Sequence, residues 1–357
     1  MRTVLHCFDM GGAGDVGALA AWLSTQPLDD LRRLVIFAKT EGHHAPNDFS
    51  RELLKTKLGL LFGELGLGDT RAMSMLAIGS EGVGSPQGFA FARFGEAGAT
   101  AADPRAPARL ALGFARSEVV PIAEIGTTAL VDRTAQTAQA AMRDAGLAPD
   151  QVGLLFIKTP TLAARHPEAT PERVAMHRGR AVSALGGGVA LGEVERARVS
   201  DAAIAVDLSL YSRRVQAVTG AEITRVEVVA MGNRPGAAGD LVIDTTHTVD
   251  LLDQASIRRL LARHGVRCDT DGALLDGDRV AGLIVKTMVP ESGMLRGART
   301  TVYTSAWAPE SHMRAAASGV LGSLLGHLRF FVSADAVHQA PEGGGVASAI
   351  LRVAGGH

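Results

Sequence analysis

Three lysines, each closing an apolar run and each followed by threonine, are the first residues in this chain that could do chemistry. They are Lys39-Thr40 after residues 34–38, Lys158-Thr159 after 153–157, and Lys286-Thr287 after 282–285. Buried lysines lose their charge readily, and a neutral amine can act as a general base. The lysines are 119 and 128 residues apart in a chain of 357. Three arginines keep step with them: Arg51, Arg180 and Arg314 are 129 and 134 residues apart. A solvated strand end explains one such lysine. Three in step with three arginines point to internal triplication and one shared pocket. Six cations there would depress the amines, and arginine would offer a planar fork to a planar anion.

The elements around these residues repeat as well. The lysine runs are apolar on both faces and read as buried strands. A helix pattern precedes each one, at 17–23, 134–145 and 254–264, and another follows with an arginine near its start. A third set of strands, at 73–78, 214–218 and 330–333, ends in turns of small residues. Each unit therefore reads strand, helix, lysine strand, arginine helix, strand with turn, strand. This predicts an α/β protein of three homologous repeat units, 1–104, 105–240 and 241–357, with boundaries in the loops 101–107 and 236–239. Duplicated units repeat around an axis, so pseudo-threefold symmetry is expected. The lysines, the arginines and the turns at Ala77-Ile78, Val218-Thr219 and Ser333-Ala334 would then line one central pocket. Backbone N–H groups at those turns could hold an oxyanion.

Composition narrows the classes. With 46% hydrophobic and 20% charged residues the chain is not disordered. Its 36 basic and 37 acidic residues leave a net charge of −1, without the basic face that non-specific nucleic-acid binding needs. No run approaches 18 apolar residues, which excludes a membrane helix, and Asp9 interrupts the start before a signal core could form. Two cysteines, Cys7 and Cys268, suit a reducing compartment, so a cytoplasmic protein is expected.

Competing motifs are weaker. Gly12-Ala-Gly14-Asp-Val-Gly17 has the spacing of a dinucleotide fingerprint, but the next strand ends in Ala38-Lys39 rather than an acidic residue. It reads as a turn before the first helix. Asp269-Thr-Asp271-Gly272 starts like a calcium loop, but Val280 stands at position twelve, so it reads as a polar turn. His43-His44 has no metal-ligand spacing around it.

Taken together, the motifs resemble the ring-opening amidohydrolases, the family of cyanuric acid hydrolase and barbiturase. The matching segments are Lys39-Thr-Glu-Gly42 with Asn47-Asp-Phe-Ser-Arg51, Gly79-Ser-Glu-Gly82 with Ser85-Pro86, Ser183-Ala-Leu-Gly186 with Ala190-Leu-Gly-Glu193, and Phe331-Val-Ser333 with His338-Gln339 and Gly343-Gly-Gly345. The resemblance implies three α/β units around a short central β-barrel, assembled as a homotetramer. It implies hydrolysis of cyclic amides or imides by a Ser-Lys pair, with no nucleic acid or membrane partner.

The departures from the pattern are informative. The family begins each turn with serine, in Ser-x-Gly-x-Glu; here those positions are Ala77, Val218 and Ser333. The family nucleophile, paired with the lysine matching Lys158, falls at Val218. In the third unit Ala334-Asp335-Ala336-Val337 stands where the family has Gly-Gly-Ala-Glu. No cofactor is implied for the chemistry. The family's structural cation, magnesium or calcium, would be held by a glutamate that is Met288 here, with Ala336, Gln339, Ala340, Pro341 and Gly344. Three readings follow: a hydrolase with Ser333 and Lys286 as the working pair, a relative in which Lys158 or Lys39 activates water or runs a lyase or cyclase reaction, and a non-catalytic binding protein. Ala77 and Val218, beside Ile78 and Thr219, predict a ring less polar and less symmetric than cyanuric acid.

Overall fold

The computed structural model describes residues 1–42, 48–95 and 105–353. His43-His44, Asn47 and much of the first boundary loop lie outside these residues. The same order of elements appears three times. The first run is β1 (Arg2–Asp9), α1 (Gly17–Leu23), β2 (Leu31–Thr40), α2 (Ser50–Glu64), β3 (Ala72–Ile78) and β4 (Gln87–Phe94). The second is β5 (Ala108–Val119), α3 (Thr128–Ala145), β6 (Val152–Pro160), the short α4 (Pro171–Val174), α5 (Met176–Ala190), β7 (Val215–Gly220) and β8 (Arg225–Pro235). The third is β9 (Leu241–Thr248), α6 (Gln254–Arg263), β10 (Val280–Thr287), a small hairpin of β11 (Met294–Leu295) and β12 (Ala298–Arg299), α7 (Pro309–Leu325), β13 (Phe331–Ala334) and β14 (Gly345–Arg352).

Each run folds into a four-stranded mixed sheet, with strand orders β1-β4-β2-β3, β5-β8-β6-β7 and β9-β14-β10-β13. In every sheet the lysine strand pairs in parallel with the third strand of its run and antiparallel with the fourth. Local chemistry sets the boundaries. Helix α3 starts six residues before its periodic pattern because Thr127 caps it, accepting from Ala129 N–H, and it ends at Gly146, φ +66°. The Asp253 carboxylate accepts from Ser256 N–H at the start of α6, and Pro309 opens α7.

Strand alternation splits each sheet between two cores. Leu34, Ile36 and Ala38 of β2 pack on the helices of their own run, while Val35 and Phe37 face a core drawn from all three sheets. Leu154 and Phe156 of β6, Ile284 of β10 and Phe331 of β13 join that shared core. Phe37 packs edge-on against Phe91, Phe156 and Phe331 at its centre, with ring centroids 4.8–5.9 Å apart. Continuing the same parity, Lys39, Lys158 and Lys286 fall on the shared face, one step beyond Phe37, Phe156 and Ile284.

The expected closed barrel needs correction. Among the described residues the strand ladders stay within each sheet and no hydrogen-bonded barrel closes. Side chains bridge the sheets instead: Gln87 Nε2 donates to Phe330 O, Gln216 Nε2 to Ile284 O, and Asn233 Nδ2 to Ile243 O, each at 2.7–2.8 Å. Among the described residues no helix is long and apolar enough to cross a membrane.

Candidate active site

The lysine strands and third strands bring the candidate residues together by register. Lys39 lies opposite Ala77, Lys158 opposite Val218, and Lys286 opposite Ser333. Parallel neighbours on one face put each amine beside the residue that begins its turn. All three lysines are about 1% exposed, so no charge there is hydrated by bulk water. A small cavity of about 30 Å³ lies at the strand ends. Lys286, Ser333, Arg51, Arg180 and Arg314 line it together with Ala77, Ile78, Val218, Thr219 and Ala334, all expected from the sequence. Leu76 and Met176 also line it, whereas Lys39 and Lys158 are not among its lining residues.

The recurring Lys-Thr pair has a local role in two of the runs. Thr40 Oγ1 bonds Ser50 Oγ at 3.0 Å at the start of α2, and Thr159 Oγ1 bonds Ser183 Oγ at 2.8 Å in α5. In the first two runs the threonine thus ties the end of the lysine strand to the helix that carries the arginine.

Sequence reasoning missed the carboxylates. Each arginine pairs with an acid from another run: Arg51 with Glu222 at 3.4 Å, Arg180 with Asp335 at 2.6 Å, and Arg314 Nε with Glu81 at 2.8 Å. The pairs form a cycle, first run to second, second to third, third to first. Glu81 and Glu222 fold back over glycines, since a Cβ on Gly79 would lie 2.5 Å from Glu81 Oε2 and one on Gly220 only 2.1 Å from Glu222 Oε2. In the third run the acid arrives differently. Asp335, at φ +69°, occupies the position of Gly79 and sends its carboxylate from that Cβ. The acid lost at Val337 is therefore restored two residues earlier. Its other oxygen takes His177 Nδ1 at 2.9 Å, and Arg180 also bonds Glu310 at 3.1 Å.

These acids change the electrostatics expected of six cations. Burial, rather than cation crowding, is the main cause that lowers all three lysines. Lys39 and Lys286 are held well below the ordinary value, with Arg314 and Arg180 respectively adding to burial against Glu81 and Asp335. Lys158 is lowered less completely, because its amine forms an ion pair with Glu222. Burial pushes the Asp335 carboxyl up, but Arg180 and His177 outweigh it and hold the group well below the usual carboxylate range.

The amines also differ in their contacts. Lys158 Nζ donates to Leu76 O at 2.9 Å, and Lys286 Nζ to Ala217 O at 2.7 Å, in each case on the third strand of the preceding run. Lys39 breaks this pattern by donating to Ile78 O in its own run, and it lies 5.5 Å from the Phe331 ring. Among the described residues Ser333 Oγ is buried without a hydrogen-bond partner, and Lys286 has no carboxylate within salt-bridge distance. The pocket thus holds one unengaged hydroxyl on the strand beside a lysine whose amine has no salt-bridge partner.

The residues expected to hold a structural cation do not suit one. Met288 offers a thioether where a hard cation needs oxygen. Gln339 Oε1 accepts from Ala217 N–H, while Ala336 O and Pro341 O accept from Gln339 N–H and Gly344 N–H. Among the described residues no group of three His, Cys, Asp or Glu is placed to hold a metal.

Fold and site together define an α/β protein whose three sheets meet at a buried lysine, arginine and carboxylate pocket containing one serine. The chain belongs to the amidohydrolase ring-opening family, whose model matches residues 4–352. It is 35% identical over 363 residues to a cyanuric acid amidohydrolase of Methylobacterium sp. (strain 4-46), covering 97% of this chain and 96% of that one. A cyclic amide hydrolase of Azorhizobium caulinodans is 31% identical over 370 residues, covering 99% and 100%. A solved cyanuric acid hydrolase superposes with a TM-score of 0.88 at 30% identity, and another from A. caulinodans with 0.86 at 30%, each covering 99% of both chains.

Proposed function

We propose that this chain hydrolyses a cyclic amide or imide with Ser333 as nucleophile and Lys286 as general base. The observation that carries this reading is the Lys286–Ser333 register pair: a buried lysine without a salt-bridge partner beside a buried hydroxyl without a hydrogen-bond partner. The position of the family nucleophile is filled by Val218, and the lysine opposite it is neutralised by Glu222. Reaction at the third run follows from that exchange.

The steps balance in protons. Neutral Lys286 takes the Ser333 hydroxyl proton as Oγ adds to a ring carbonyl. The resulting ammonium returns that proton to the ring nitrogen as the C–N bond breaks, leaving an open-chain ester on Ser333. Water then adds to the ester carbonyl, losing a proton to Lys286, which returns it to Oγ as the acid leaves. The arginines, held by their carboxylates, face the remaining ring carbonyls, and the turn N–H groups stabilise the oxyanion. Lys39, lowered by burial and lying beside Phe331, is one of the neighbouring cations that favour the neutral form of Lys286.

We further infer that the three runs are homologous units, 1–104, 105–240 and 241–357, related by pseudo-threefold symmetry. The repeated strand order and the cyclic Arg–acid pairing support this. The ring should be less polar and less symmetric than cyanuric acid, because Ala77 and Val218 replace two hydroxyl positions. A panel of cyclic imides, ureides and lactams, followed by mass spectrometry for a gain of one water, tests the assignment. Turnover that disappears in Lys286→Met is expected; turnover unaffected by that substitution would overturn it.

A further inference from the structure

Each pocket arginine has a polar residue three positions ahead of it. His177 precedes Arg180 in α5, Ser311 precedes Arg314 in α7, and Asp48 precedes Arg51 just before α2. Residues three apart on a helix lie on one face, so this position can reach the same carboxylate as the arginine. Ser311 Oγ donates to Glu81 Oε1 at 3.0 Å, while Arg314 Nε takes Oε2 at 2.8 Å. His177 Nδ1 meets one Asp335 oxygen at 2.9 Å, while Arg180 holds the other at 2.6 Å. An ionised carboxylate only accepts, so Nδ1 carries the proton, as it can in the imidazolium and in one neutral tautomer alike. Asp48 cannot play this part. It is itself a carboxylate, and one of its oxygens accepts from Ser50 N–H at 3.0 Å.

The consequence falls on the lysines. Glu222, whose arginine has Asp48 in place of a donor, meets Arg51 only at 3.4 Å and forms an ion pair with Lys158 of its own run. Asp335 is held by His177, and Lys286 of the same run donates to Ala217 O instead, at 2.7 Å. Glu81 is held by Ser311, and Lys39 of its run donates to Ile78 O. An acid supported from the arginine helix leaves its lysine alone, whereas the acid without that support takes it.

We propose that His177 is a positioning residue that keeps the Asp335 carboxylate turned to Arg180 and off Lys286, leaving the amine beside Ser333 without a salt-bridge partner. This rests on the reading of Lys286 as the base and adds what keeps it available. The charges that reach Lys286 are those of Arg180, Asp335, Lys39 and Arg314. Those that reach His177 are Asp335, Arg180 and Glu291, and Tyr303, Glu310 and Glu342 line the cavities beside it. The His177 side chain is 37% exposed, so replacing it leaves the packed core intact.

The test is the titration of the Lys286 amine by nitrogen NMR, with its signal assigned by absence from Lys286→Met; no substrate is needed. In His177→Ala the Asp335 carboxylate is free to turn to the amine, and an opposite charge that close favours the ammonium by about 1–3 pH units. Expected is a midpoint higher by about one unit or more, with the acid limb of kcat/KM moving by the same amount. Raising the pH past the new limb should restore the parent's rate, which a merely structural defect would not allow. His177→Asn keeps an N–H donor and should hold the parent's midpoint. His177→Ala combined with Asp335→Asn should return to that midpoint or below, since no charge remains to pair with the amine. A midpoint unmoved in His177→Ala, or still raised in the double variant, would overturn the proposal. A shifted midpoint in a protein that opens no ring would overturn the hydrolase reading and leave the support of Asp335 by His177 standing.

Discussion

In the proposed mechanism Ser333 and Lys286 form the working pair because of what surrounds each lysine. Lys158 has the Glu222 carboxylate, whereas Lys286 has a backbone carbonyl and a hydroxyl across the register. Replacing Lys158 with methionine leaves Glu222 with only Arg51 at 3.4 Å, and is expected to cost about 3–5 kcal/mol of stability in thermal or urea unfolding. Lys286→Met should spare the fold better and abolish turnover. The pH dependence follows from the lowered Lys286 value. Activity should fall as pH decreases and the amine takes a proton, with a midpoint well below the roughly 10.4 of an ordinary lysine. A limb of kcat/KM centred near that ordinary value would contradict the neutral-base assignment. The lysines and arginines were legible in the sequence because they recur at nearly a third of its length. Their acids were not, since Arg51, Arg180 and Arg314 each pair across runs and Asp335 stands two residues away from the position of Glu81 and Glu222. Asp335 left a signal nonetheless: an acid gained in the turn where the family pattern has glycine.

Strand parity is what carries residue chemistry into the shared centre. Val35, Phe37 and Lys39 alternate with Leu34, Ile36 and Ala38, so a one-residue slip would exchange a catalytic face for a helix-packing face. The elements were readable because the lysine strands are short continuous apolar runs and their flanking helices keep a 3.6-residue period. The early start of α3 was missed, since Thr127 rather than periodicity sets it, and the hairpin of β11 and β12 has no period to detect. Packing between elements also depends on close approach. A Cβ on Gly113 of β5 would lie 2.2 Å from Ala145 N in α3, a backbone atom that cannot swing away. Gly113→Ala is therefore expected to destabilise the protein by about 1–3 kcal/mol, read as a lower urea midpoint, with kcat unchanged in the folded fraction. An unchanged midpoint would show that α3 and β5 are less tightly fixed than this packing requires.

At the scale of the molecule, three sheets share one core and are tied by a cycle of arginine–carboxylate pairs. The recurrence of the lysines and arginines was legible in the sequence, whereas the barrel was expected from family resemblance, and among the described residues the strand ladders stay within three separate sheets. Asp335, with its carboxyl held low, contributes stability that is fully present above the unfolded value near 3.9 and lost as pH falls through its folded value. Asp335→Asn should therefore lower Tm most at pH 7, with the difference from the parent shrinking below about pH 4. A difference that stayed constant with pH would mean that packing, not charge, sets the contribution. The central claim is that reactivity has moved from the second run to the third. Its most direct measurement is mass spectrometry of the protein quenched during turnover, with peptide mapping of any ester adduct. The prediction is an acyl group on the peptide containing Ser333, absent from Ser333→Ala, whose turnover drops at least a thousandfold. Full turnover in Ser333→Ala, with no adduct on the parent protein, would contradict it.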